Sequence, residues 1–267
     1  MEAGISSYTF TWAVGVPGQE PLRRMSVFDL IQKAAGFHVP VVQIADNLPL
    51  DALPDEQIRE IGRYATERNI RIEPGARKMT DEILHRYIEI AILLGSPFVR
   101  FVIDGPGFQP SLNDVHQIIR TALPALEEKG VVLAIENHDR FKAREFASMV
   151  EKAASSQVGI CLDTVNSMGA GEGLETVIGL LAPLTVNLHV KEFCVERVFH
   201  KMGFVIEGKP LGKGMLPLIE LLEKVSTRCR SAILEQWTPP EATIEATIRK
   251  EADWAHESIK YLKSKLY

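Results

Sequence analysis

Short runs of β-branched and apolar residues recur at 3–8, 40–45, 69–73, 97–103, 131–136, 157–162, 184–191 and 231–236, which predicts eight strands. Segments with helical periodicity alternate with them, at 26–36, 54–68, 79–95, 111–129, 142–154, 172–182, 214–226 and 241–264. Asp55, Asp81 and Ser111 stand near predicted helix starts, and Gly36, Gly95 and Gly130 near predicted ends, as capping preferences ask. Such alternation makes the strands parallel, because each helix must return the chain across the sheet. Eight units in 267 residues, against roughly 250 in the typical case, predict an α/β fold closed as a single (β/α)8 TIM barrel over 1–267, with a doubly wound open sheet as the alternative.

Composition narrows the function classes. With 46% apolar and 24% charged residues the chain buries a sizeable core. The balance of 30 Lys+Arg against 35 Asp+Glu supplies no electrostatic footprint for nucleic acid. Three widely spaced cysteines, Cys161, Cys194 and Cys229, form neither a disulfide framework nor a zinc knuckle, and a cytoplasmic location is expected. The apolar stretch near 90–103 is broken by Gly95, Pro97 and Arg100, and the start, Met1-Glu2-Ala3-Gly4, lacks a basic leader, so no membrane association is expected. The one long connection, Glu192 to Gly214, has the length of a functional lid.

Chemistry enters at the strand ends. Val131–Glu136, Gly159–Asp163 and Ser231–Glu235 each finish in a carboxylate, and Asn187–Lys191 finishes in an imidazole and an amine. Parallel strands bring these endings to one rim, where barrel enzymes hold their active sites. Glu136, Asp163, His189 and Glu235 therefore face a common point. Three carboxylates there repel one another unless a cation neutralises them. Oxygen donors with one imidazole suit Mn²⁺, Mg²⁺ or Co²⁺, with Fe²⁺ and Zn²⁺ also compatible. The alternative is a set of unrelated helix caps and salt bridges.

Further polar residues fall on the inward parity of other strands: Ser6 and Tyr8, Gln43, Glu73 with Arg71, and Arg100 with Asp104. They predict a wet, substrate-sized pocket rather than a dry barrel core. Gln43, Glu73, Arg100, His138, Lys191, Arg197 and His200 are the candidate substrate-binding residues. Arg100 serves either a substrate carboxylate or Asp104, and His138 either substrate or a hydrogen bond to the metal site.

Ile135-Glu136-Asn137-His138, Leu162-Asp163-Thr164, Leu188-His189-Val190-Lys191-Glu192, the loop Gly208–Gly214 and Leu234-Glu235, in that order and at strand ends, resemble the xylose isomerase-like TIM barrels. That family includes sugar isomerases and epimerases, dehydratases, decarboxylases and apurinic-site endonucleases. The resemblance covers essentially the whole chain and implies one divalent metal ion on Glu136, Asp163, His189 and Glu235, with the two glutamates moving protons. Many epimerases of this type carry a glutamate where this chain has Gln43, and the endonucleases hold three metals on many more histidines. The implied activity is metal-dependent isomerisation or epimerisation of a small keto sugar or sugar acid through a metal-stabilised enediolate, with Glu136 and Glu235 as acid and base. The first alternative is a lyase, a decarboxylase of a 3-oxo sugar acid of the 3-oxo-isoapionate type, with Arg100, Lys191 or Arg197 holding the leaving carboxylate. The second is a non-catalytic sugar-binding barrel. A carbohydrate substrate is the expected partner, and a homo-oligomer is compatible with such barrels.

Overall fold

The computed structural model describes residues 1–266. Eight parallel strands close into a barrel: β1 (Glu2–Ser6), β2 (Val41–Ile44), β3 (Arg71–Arg77), β4 (Phe98–Val102), β5 (Val132–Glu136), β6 (Val158–Asp163), β7 (Thr185–Lys191) and β10 (Ser231–Glu235). The spatial order is β1-β10-β7-β6-β5-β4-β3-β2, each strand beside its sequence neighbour and β10 sealing the seam against β1. The open-sheet alternative is thereby excluded. Outside the barrel lie α2 (Val27–Phe37), α3 (Asp55–Thr66), α4 (Asp81–Leu94), α5 (Leu112–Lys129), α6 (Ala143–Ala153), α7 (Leu174–Leu181), α8 (Leu218–Lys224) and α9 (Ile244–Leu266). Amphipathic spacing seats them; α3, for example, buries Ile58, Ile61 and Ala65 on one stripe.

Local chemistry sets the boundaries. Ser26 and Asp29, and Ser111 and Asp114, form reciprocal capping boxes at the starts of α2 and α5. Thr80, not Asp81, caps α4, and α2 runs through Gly36 to a left-handed His38. The first strand stops two residues early because the Ser6 side chain caps a tight turn over 7–10, which leads into the short helix α1 (Thr11–Val14). Strand β3 instead continues past Pro74 and Gly75 to Arg77. Gly75 sits close against the neighbouring strand, where a Cβ would stand 3.1 Å from Cδ of Arg100.

The expected long loop is largely a β-hairpin, β8 (Phe193–Arg197) paired antiparallel with β9 (Phe204–Gly208). Its base is pinned beside the barrel mouth. The buried Glu192 carboxylate accepts the backbone N–H groups of Phe193, Gly212 and Leu216, and Gly208 packs so tightly on Trp237 that a Cβ would approach its carbonyl to 2.3 Å.

The main core lies between the outward strand faces and the helices, with Ile5, Val42, Phe101, Ile135, Leu162 and Leu188 among its members. Inside the barrel the apolar cluster is small: Phe98, Ala134, Cys161 and Val186, with Val132 against it. Val41 and Ile233 also face inward, and the other buried inner-face residues are polar, among them Ser6, Gln43, Glu73, Arg100, Glu136, Asp163, Asn187, His189, Ser231 and Glu235. Groups buried in that way must satisfy one another.

Candidate metal centre

Strands β5, β6, β7 and β10 deliver Glu136, Asp163, His189 and Glu235 to one rim, as their shared parity requires. His189 is fully buried at the centre, its Nδ1 3.4 Å from Glu136 Oε2, 3.5 Å from Glu235 Oε1 and 3.9 Å from Asp163 Oδ2. Ligand atoms of Asp163, His189 and Glu235 lie within 4.8 Å of one another, as do those of Glu136, Cys161 and His189.

His189 Nδ1 has no hydrogen-bond partner among the described residues, and Asp163 Oδ2 has only its ion pair with Lys191 Nζ at 2.7 Å. The imidazole orientation explains the first. A directed chain of hydrogen bonds crosses the barrel interior: Ser231 Oγ donates to Glu73 Oε2 (3.1 Å), Asn187 Nδ2 to Ser231 Oγ (2.9 Å), and Gln43 Nε2 to Asn187 Oδ1 (3.0 Å). Cys161 Sγ also donates to Asn187 Oδ1, fixing that amide's direction. Gln43 Oε1 is then an acceptor, so the 2.6 Å contact with His189 Nε2 requires the proton on Nε2. In a neutral imidazole this leaves a lone pair on Nδ1, aimed among three carboxylates. That is the arrangement a cation ligand needs.

Charge points the same way. The carboxylates of Asp46, Glu136, Asp163 and Glu235 are met by two buried cations. Arg100 bonds Glu136 Oε2 through Nε and Asp46 Oδ1 through Nη1 at 3.1 Å, while Lys191 Nζ stands 2.7 Å from Asp163 Oδ2 and 3.1 Å from Glu235 Oε2. Two negative charges remain, the complement of one divalent ion. Burial, with Glu136 alongside, holds the Cys161 thiol well above its ordinary pKa, and its S–H is spent on Asn187 Oδ1.

Neighbours hold these side chains in place. Asn137 clamps β5 to β6, accepting Asp163 N–H at 2.7 Å and donating to Asp163 carbonyl at 2.9 Å. Asp163 Oδ1 accepts the N–H groups of Val165 and Asn166, so this residue caps a turn with one oxygen and faces the cluster with the other. Asn166 Nδ2 donates to Glu136 Oε1 at 2.8 Å, and Ser6 Oγ to Glu235 Oε1 at 3.0 Å. Burial alone would raise the pKa of Glu235, but the ammonium of Lys191 and the guanidinium of Arg100 pull it below the ordinary carboxylate range. The ammonium of Lys191 responds in the opposite sense: its burial is overcome by Asp163, Glu235 and Glu136, and its pKa is raised.

A model of the family described as xylose isomerase-like TIM barrel matches residues 29–265. The chain belongs to that family. It is 30% identical over 264 residues to 3-oxo-isoapionate decarboxylase of Pectobacterium atrosepticum, covering 98% of this chain and 95% of the relative. Its fold is shared with D-psicose 3-epimerase of Clostridium cellulolyticum H10, solved with D-tagatose (TM-score 0.73, 16% identity, 100% and 99% coverage). A xylose isomerase-like TIM barrel protein of Mycobacterium smegmatis, solved with magnesium, is similar as well (TM-score 0.70, 13% identity, 97% of each chain). The protein is an enzyme of the isomerase/epimerase or lyase type.

Within this family member, Gln43, Arg100 and Lys191 join the four cluster residues, whereas other expected site residues lie elsewhere. Glu73 sits deeper in the barrel and reaches His189 only through Ser231, Asn187 and Gln43. His138 lies two residues beyond the end of β5 at Glu136, where strand alternation lapses, and its Nδ1 meets the neighbouring Asp139 at 2.6 Å. Arg197 and His200 ride on the hairpin, Arg197 donating to Lys201 carbonyl and stacking over Phe204, His200 beside Phe199. Arg100 does not pair with Asp104, which is taken by both donors of Arg140 at 2.6 Å. Sequence reasoning missed Asp46, Asn166 and Arg77. Asp46 lies two residues beyond β2 and collects Arg100, Arg77 and the Tyr8 hydroxyl; its signal was an acid following a strand end, as at Glu136.

Proposed function

We propose that this enzyme is a divalent-metal-dependent decarboxylase of a 3-oxo sugar acid. The carrying observation is that both candidate proton-moving glutamates are engaged by cations, Glu136 by Arg100 and Glu235 by Lys191. A carboxylate so engaged is a weak base for pulling a proton from carbon, which epimerisation demands and decarboxylation does not. Full-length similarity to a decarboxylase supports the same reading.

Glu136, Asp163, His189 and Glu235 would hold the ion, which when bound supplies electrophilic polarisation of a ketone oxygen and stabilises an enediolate. In the reaction the bond between the carboxylate carbon and its neighbour breaks, its electron pair passes toward the 3-oxo oxygen, and a proton replaces CO₂ at carbon. Lys191, kept charged by Asp163 and Glu235, steadies the developing oxyanion and, as the proton-bearing group of the cluster, supplies the proton that carbon takes up. The same charged state argues against Schiff-base chemistry at Lys191. Epimerisation of a ketose is the second reading, favoured by the placement of Glu136 and Glu235 at similar distances from His189 Nδ1. Free, buried Cys161, Cys194 and Cys229 suit a reducing cytoplasm.

The test follows CO₂ and ketone from a 3-oxo sugar acid with Mn²⁺ or Mg²⁺, with and without chelator, beside a ketose panel. Equimolar, chelator-sensitive CO₂ release is expected. Ketose interconversion without gas evolution would establish the epimerase reading instead.

A further inference from the structure

We propose that Arg77 anchors the carboxylate of the substrate and so sets selectivity for sugar acids over neutral sugars; the inference rests on the decarboxylase reading above. Arg77 is the last residue of β3 and has the inward parity of Gly75, one pleat nearer the mouth than the Gly75–Arg100 pair. Its guanidinium is connected to the cluster through Asp46, whose other oxygen binds Arg100, which in turn binds Glu136.

Its partnership is incomplete. Asp46 is already taken by Arg100 Nη1 at 3.1 Å and by the Tyr8 hydroxyl at 3.0 Å, and it meets Arg77 Nε only at 3.6 Å. Arg77 Nε is buried with no hydrogen-bond partner, while 40% of the side chain faces solvent. Arg100, Lys191, Arg140 and Arg197 are committed elsewhere. Arg100 is sealed between Glu136 and Asp46, Lys191 between Asp163 and Glu235, and Arg140 is bidentate on Asp104 with a further bond to Pro110 carbonyl. Arg197 is folded onto its own hairpin. With a divalent ion neutralising the buried set, Arg77 places a positive charge at the mouth, with Asp139 the nearest carboxylate besides Asp46. With Nε turned to Asp46, the planar guanidinium's Nη end offers the paired donors that a carboxylate accepts.

The experiment compares wild type, Arg77→Gln and Arg77→Lys, each loaded with Mn²⁺, by calorimetric titration with L-threonate, a four-carbon sugar acid, and with the neutral polyol threitol. Charge-assisted hydrogen bonds are worth roughly 10- to 100-fold in affinity. Arg77→Gln is expected to weaken threonate by about that factor, leave threitol and Mn²⁺ affinity within about twofold, and raise KM for the 3-oxo acid more than it lowers kcat; Arg77→Lys should recover part of the loss. A wild-type preference for threonate that survives in Arg77→Gln overturns the assignment alone. Absence of any preference or CO₂ release in wild type overturns the decarboxylase reading, and the assignment with it.

Discussion

Replacing Gln43 with leucine tests the histidine orientation on which the metal centre depends. The substitution removes the 2.6 Å contact to His189 Nε2 and the 3.0 Å bond to Asn187 Oδ1. Asn187 keeps Cys161 Sγ as a donor, so the stranded group is chiefly the His189 N–H, fully buried. One orphaned buried donor costs about 1–3 kcal/mol, a fall of roughly 2–12 °C in melting temperature at about 2–4 °C per kcal/mol for a chain of this size. Freed from Gln43, the ring can move its proton to Nδ1 or rotate, and metal affinity should drop roughly 10- to 100-fold, the usual effect of losing a partner behind a ligand. Gln43→Glu makes the comparison informative, because a carboxylate still accepts from Nε2–H: it should lose stability but keep Nδ1 unprotonated. Calorimetric Mn²⁺ titration gives the affinities, and ¹⁵N-histidine NMR reads the tautomer directly. Unchanged Mn²⁺ binding and an unchanged Nε2–H tautomer in folded Gln43→Leu would refute the reasoning.

Asp163→Asn should keep the turn cap, since the amide oxygen still accepts from Val165 and Asn166, and lose metal; normal metal content by elemental analysis would show that Asp163 is only a cap. Saturating Mn²⁺ at about 100 times its Kd should stabilise the fold by roughly 2.7 kcal/mol relative to chelator, seen as a higher melting temperature, and no shift would remove the metal from the site. Glu136→Gln and Glu235→Gln should each abolish CO₂ release in a steady-state assay, and full activity in both would end their assigned roles. Burial raises Glu73 to about 7 in the fold from an ordinary 4.5, against the opposing pull of Arg71 and Ser231. The unfolded chain therefore loses this proton first, so the stability contribution is complete below about 4.5 and lost as pH rises through about 7, up to about 3 kcal/mol in all. Urea unfolding at pH 5 and pH 8 should show a smaller decline for Glu73→Gln than for wild type, and equal declines would contradict it.

Legibility followed regularity. Glu136, Asp163, His189 and Glu235 could be read because each ends a strand whose period of two is intact, and parallel strands share one rim. Where that period lapses, inference lapsed with it: His138 and Asp46 stand just beyond strand ends, and their directions come from turns. Arg77 was hidden for another reason. Pro74 and Gly75 signal a break, yet β3 runs through them, with Gly75 set against the Arg100 side chain. The hairpin formed by β8 and β9 was equally obscure, its apolar residues Val195, Phe204, Val205 and Ile206 being exposed and thus unlike a core-facing strand.

The hydrogen-bond chain behind His189 also reaches the opposite end of the barrel. Arg71, which meets Glu73 at 3.4 Å, also binds Glu2 at 2.8 Å near the first strand's start. Barrel enzymes ordinarily separate a floor that maintains thermal robustness from a roof that does the work. Here the two are wired together. An engineering campaign that filled the floor with valine at Ser231 or leucine at Glu73 would strand Asn187 Nδ2 or Ser231 Oγ there and loosen the imidazole overhead. Improvement of this enzyme should therefore begin on the helices, whose outer surfaces carry no such connection to the chemistry.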